Sequence, residues 1–187
     1  MYWISIFLVI AALLWSTKLN NSVAVAQADS QDKKRECITL LEEQTAALTA
    51  EDWTHLEKLA KRYLQDCKEV SDSENYSFAH ESIAIANIRL NNPAAALEAS
   101  KTCIDVYYTN VGCHVTKIRA LINLQRVSDA RASFEIAERL VAHVIEINER
   151  DLHETSDPLE KKVYAAKEHY LNAQKGLLDS IRPLLYR

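Results

Sequence analysis

The chain has 187 residues, with 26 acidic against 22 basic side chains and a formal charge of −4 at pH 7. That balance argues against nucleic acid as a partner, since binding a phosphate backbone calls for a basic face. Two Gly and three Pro in the whole chain leave little material for hairpin turns or phosphate loops, and they predict an all-α fold.

The first segment reads as an export signal. Tyr2 to Trp15 is a run of fourteen uncharged residues, short for a membrane span of about 20 residues but suited to the apolar part of a secretory signal. Ala24, Ala26 and Ala28 then offer small-residue cleavage sites, the last just before Asp29. The expectation is a signal peptide over 1–28 and a single helical domain over 29–187, periplasmic or secreted. The alternative is an uncleaved membrane anchor made by the same apolar run. That segment is the one route by which the sequence would meet a membrane.

Helical periodicity then runs to the end of the chain. Cys37, Ile38, Leu41, Ala46 and Leu48 form a loose first stripe over 34–48. Thr49, with Asp52 three residues on, has the form of an N-cap for a second helix, where Trp53, Leu56, Ala60, Tyr63, Leu64 and Cys67 share a face. Residues 71–75, SDSEN, read as a polar loop before a helix over 76–90. Asn92 caps a fourth helix with Pro93 at its first position, ending near Tyr107. Asn110-Val111-Gly112 marks the next start, and that helix ends near Gln125. Ser128 is placed as the cap of a sixth, reaching Asn148. The seventh carries Leu159, Val163, Ala166, Tyr170, Ala173, Leu177 and Ile181 on one stripe, with Pro183 closing it. Short joints between helices predict an antiparallel array.

Part of the array echoes itself. Ala86, Leu90, Ala96 and Cys103 are matched 34 residues later by Ala120, Leu124, Ala130 and Ala137. Repeats of this length are helix–turn–helix units that bury their apolar faces only by stacking. The sequence resembles the tetratricopeptide repeat family, whose unit is 34 residues. Ala130, Phe134 and Ala137 match that family's small, aromatic and small spacing, and Ala96, Ser100 and Cys103 match it with Ser for the aromatic. The first helices depart from its Trp, Leu, Gly and Tyr, carrying His80, Ile83, Ala84 and Asn87, then His114, Lys117, Ile118 and Leu121. A degenerate earlier unit over 37–70 puts Trp53 and Leu56 in the places of Pro93 and Ala96, with about six extra residues at the SDSEN loop. The resemblance implies a short right-handed stack of antiparallel helix pairs with a long C-terminal capping helix.

All four cysteines lie beyond the signal, and an even number suits an oxidising compartment. The repeat arrangement chooses among the three possible pairings. It packs the place of Cys103 against that of Cys113, and it leaves Cys37 and Cys67 at the same open end of a helix pair. The expected disulfides are therefore Cys37–Cys67 and Cys103–Cys113.

Catalytic and metal-binding signals are thin. The six His residues form no H-E-x-x-H motif, and no nucleophile elbow or phosphate loop is present. Cys113-His114 with Cys103 lacks metal-ligand spacing. No enzyme activity and no cofactor is expected. The resemblance instead implies a concave groove lined by the first helix of each unit, formed by Phe78, Glu81, Ile85, Ile88 and Arg89, then by Gly112, Val115, Arg119, Ile122 and Asn123. An apolar groove with two Arg suits an amphipathic helix or peptide bearing an acidic group. The expectation is an exported protein–protein interaction module; the alternatives are a membrane-anchored assembly subunit of a cell-envelope complex and a thiol–disulfide or metal-dependent activity using the cysteines.

Overall fold

The computed structural model describes residues 30–186, so the predicted signal or anchor lies outside the described part. Within it are seven helices and no strand: α1 (30–49), α2 (Trp53–Asp66), α3 (Ser73–Arg89), α4 (Pro93–Val106), α5 (Val111–Asn123), α6 (Val127–Glu154) and α7 (Pro158–Leu185). From α2 onward each helix packs on the next, while α3 also packs on α5 and α5 on α7. The result is an all-α, solenoid-like stack.

Local chemistry explains the boundaries, and in four places it differs from the sequence expectation. Asp52, not Thr49, caps α2 by accepting from the His55 backbone N–H; the Thr49 hydroxyl donates to the Thr45 carbonyl instead, satisfying itself within α1. Asp72 caps α3 through the Asn75 N–H, so Ser73 to Asn75 form the first helical turn rather than a loop. Asn92 caps α4 as expected, and at the boundary read at 110–112 it is Asn110 that caps α5. α6 begins at Val127 with no side-chain cap and runs on to Glu154. α7 continues past Pro183 to Leu185, because Leu185 is buried and its carbonyl accepts from Arg131 Nε.

The apolar stripes of α1 and α7 are also rotated from their expected phase. In α1 Cys37, Leu40 and Ala47 point inward and Ile38 is 57% exposed. In α7 the buried set is Leu171, Leu178, Ile181 and Leu185, whereas Leu159 and Val163 are 70% and 59% exposed. Apolar residues stand side by side at 170/171, 177/178 and 184/185. Two adjacent stripes at heptad spacing make a face wider than one packing interface covers, and spacing alone does not say which stripe goes inside.

The internal repeat is visible in the backbone. Glu51, Asn91 and Gln125 are the described non-Gly residues with positive φ, at 56°, 57° and 59°. Each follows the first helix of a pair, and the hydrogen bonds that close the corner match: Asp52 N–H to Ala47 O, Asn92 N–H to Asn87 O, and Arg126 N–H to Leu121 O. This is the six-to-one bond of a Schellman turn, with the left-handed residue just past the helix. Asn91 and Gln125 lie 34 residues apart, as the sequence echo requires. The extra residues of the earlier unit divide between the six-residue joint 67–72, against the four-residue joint 107–110, and the 17-residue α3, against the 13-residue α5.

Packing follows the repeat. Ala96, Ser100 and Cys103 on α4, and Ala130, Phe134 and Ala137 on α6, are all 0% exposed. Leu56, Ala60 and Tyr63 occupy the same positions on α2 and are also buried. Small residues there let helices approach; the Ser100 hydroxyl stays satisfied by donating to the Ala96 carbonyl. Cys37 and Cys67 stand at disulfide distance with Cα atoms 5.8 Å apart, and Cys103 and Cys113 likewise with 6.0 Å. Two such pairs are compatible with an oxidising, exported location. Among the described residues no helix is long and apolar enough to cross a membrane.

Candidate functional site

α3 and α5 pack side by side, with α7 next to α5, and the residues expected to line a groove fall along this sequence of helices. They do not share one surface. Glu81 and Val115 are buried, at 5% and 2% exposure, and Gly112 is buried as well. Phe78, Ile85, Ile88, Arg119 and Ile122 are half-buried, while Arg89 and Asn123 are exposed. α7 divides the face into an open cleft at one end and a cavity at the other.

The cleft has a volume of about 290 Å³ and lies between α5 and the last turns of α7. Arg119, Ile122 and Asn123 form one wall; Leu177, Ser180 and Leu184 form the other. The α7 wall was absent from the sequence expectation, which assigned Leu177 to the buried stripe. Arg89 lies over the Trp53 ring, with its guanidinium carbon 5.0 Å from the ring centroid. Burial, and then the like charge of Arg89, push the Arg119 guanidinium below its ordinary value. Among the described residues neither arginine has a carboxylate within ion-pair distance. A half-buried guanidinium without an anion, in the field of a second one and beside Ile122, Leu177 and Leu184, suits a carboxylate on an apolar carrier.

At the other end a polar knot ties α7 to α3 and α5. The Gly112 backbone N–H donates to the Tyr170 hydroxyl at 3.1 Å, and that hydroxyl donates to Glu81 Oε1 at 3.2 Å. Asn110 Nδ2 donates to Glu81 Oε2 at 3.0 Å and to Ser77 Oγ at 3.2 Å. A methyl group on Gly112 would overlap both the Glu81 carboxylate and the Tyr170 hydroxyl, so this close approach requires glycine. Burial raises the Glu81 pKa against the lowering effect of its two hydrogen bonds. Burial first, then the Glu81 charge, hold the Tyr170 phenol well above its ordinary value, so it remains a donor. A cavity of about 320 Å³ adjoins this knot. Tyr170 and Asn110 carried no distinctive signal in the sequence, because their partners lie 89 and 29 residues away from them at Glu81.

The histidines do not gather. His114 is buried, its Nε2 within 2.9 Å of the Tyr108 carbonyl oxygen, and burial lowers its pKa. Among the described residues no group of His, Cys, Asp and Glu is arranged to hold a metal ion.

Comparisons of the chain with protein-family models, with curated proteins and with solved structures give no match.

Proposed function

We propose that this chain is an exported binding module that holds an acidic amphipathic segment of another protein in the cleft between α5 and α7. The observation that carries this reading is Arg119, which lines the cleft with Ile122, Leu177 and Leu184, feels the like charge of Arg89, and has no described carboxylate within ion-pair distance. A helix with an apolar stripe would pack on those side chains, and an Asp or Glu on its flank would relieve the repulsion between the two arginines. The tetratricopeptide resemblance supports the reading, since stacked helix pairs present such faces. An activity based on cysteine needs a free thiolate, whereas all four cysteines stand in pairs.

The test is site-specific photo-crosslinking in the source cell from a benzoylphenylalanine replacing Asn123. The control position is Lys161, 16 residues before Leu177 and so about 24 Å away along α7 at ~1.5 Å per residue. The expected result is one dominant adduct from position 123, absent from 161, with the crosslinked segment acidic and apolar at helical spacing. Arg89→Glu with Arg119→Glu should abolish it. An adduct that survives the charge reversal, or appears equally from both positions, overturns the proposal.

A further inference from the structure

We propose that the cavity between the start of α3, the α4–α5 corner and the middle of α7 binds an alkylammonium group, with the Glu81 carboxylate as its counter-charge. The site is built around a charge that the fold leaves uncompensated. Glu81 is 5% exposed, and both its oxygens are held by neutral donors, Asn110 and Tyr170. Among the described residues no Lys, Arg or His lies within ion-pair distance of it. An enclosed carboxylate without a cation is costly, and a cation delivered to it recovers that cost.

The remaining walls suit the same ligand. Phe78, Tyr107 and Tyr170 line the cavity together with Glu74, giving aromatic rings that favour a cation and a second carboxylate from the first turn of α3. At a share of about 30 Å³ per water, the 320 Å³ of space accommodates an aliphatic chain of several carbons and its head group. The starts of α3 and α5 also face this region, and free helix N-termini attract anions. Here those donors are engaged: the Asn75 N–H by Asp72, the Cys113 N–H by Asn110, and the Gly112 N–H by Tyr170. Among the lining side chains two carboxyl groups, Glu74 and Glu81, stand against one ammonium. Lys167 lines the same space without pairing with either carboxylate, and it competes with the ligand.

A small amine and the lysine side chain of a partner present the same head group, and two probes separate them. The disulfide-bonded protein is titrated calorimetrically near neutral pH with n-butylammonium chloride, with acetyl-Gly-Lys-Gly-amide, and with uncharged n-pentanol as control. Both amines should bind and pentanol should not, and Glu81→Gln should weaken the amines by at least about tenfold. Tighter binding of the peptide assigns the site to a partner's lysine, and equal or tighter binding of butylammonium to a free amine. Binding of neither amine, or unchanged binding to folded Glu81→Gln, overturns the proposal. Should that variant not fold, Lys167→Ala decides: relief of the competing charge should tighten butylammonium about threefold or more, and no gain overturns the site. These titrations use no protein partner, so their outcome is independent of the cleft proposed above.

Discussion

The two ends of the stack are held by different means. Around α1 to α3 the core is modest, built on Leu40, Leu56, Leu59, Ala60 and Tyr63, and the Cys37–Cys67 pair joins α1 to the residue just past α2. Around α5 to α7 the core is larger, with Ile118, Leu121, Phe134, Leu171, Leu178 and Leu185, and no crosslink reaches α6 or α7. Those two long helices rely on apolar burial and a few polar ties: Glu81 to Tyr170, Arg131 to the Leu185 carbonyl, Arg182 to Glu138, and Asn148 to the Tyr164 carbonyl. The Cys103–Cys113 pair ties α4 only to the start of α5, so α1 is held by a covalent constraint while α6 and α7 are held by packing.

The comparison breaks most severely at Phe134, 0% exposed between α5 and α7. Phe134→Ala should cost about 3–5 kcal/mol in denaturant unfolding, with faster amide exchange in α5 to α7 than in α1 and α2. Next comes the N-terminal staple. Cys37→Ser with Cys67→Ser opens a loop spanning 30 residues and should cost about 3–4 kcal/mol, with exchange rising first in α1 and α2. Equal loosening of both ends in either variant would show that the stack unfolds as one unit.

A subtler difference lies in pH. The raised pKa of buried Glu81 means that the folded state retains a proton which the unfolded state has already released. Stability therefore falls as pH rises from the unfolded glutamate value through the raised folded value, and is level above it. Glu81→Gln removes that contribution; its oxygen still accepts from Asn110, and its NH2 faces the Tyr170 hydroxyl, which can donate to Asn110 Oδ1 instead. Its melting temperature should exceed the parent's at neutral pH, and the gap should close as pH falls below the unfolded value. A constant gap at all pH values would mean that Glu81 titrates alike in the folded and unfolded states, and a gap that keeps widening as pH rises would mean that it stays neutral when folded. The smallest effect is expected at the corners: Gln125→Gly relieves a left-handed backbone with φ of 59° and should stabilise by about 1 kcal/mol or less, net of glycine's extra unfolded-state entropy, with no change at the N-terminal end.

Legibility in the sequence followed the range of the interaction. The helices, the cap at Asn92, the boundary at Asn110, and the buried small residues at Ala96, Ala130 and Ala137 rest on neighbours within a turn or two, and local pattern displayed them. The cysteine pairs became legible through the repeat resemblance, which implied which helix ends meet. The site was harder. Glu81 was assigned to the right helix, but its burial depends on Tyr170, 89 residues away. Leu177 and Leu178 are adjacent and equally apolar in type, yet one faces the cleft and the other the core; the rotation of α7 is set by α5 and α6, not by its own text.

The equivalent corners at Glu51, Asn91 and Gln125 have a consequence for how such a chain changes length. Each corner hands the next helix on with the same turn, so a copy of residues 92–125 inserted after Gln125 would enter and leave through geometry the protein already uses. Growth by that increment would keep every existing corner and lengthen the face between them. Between Leu56 and Ala96 the chain already tolerates a different length: α3 is four residues longer than α5 and its joint two residues longer than 107–110, while the corner keeps the same turn.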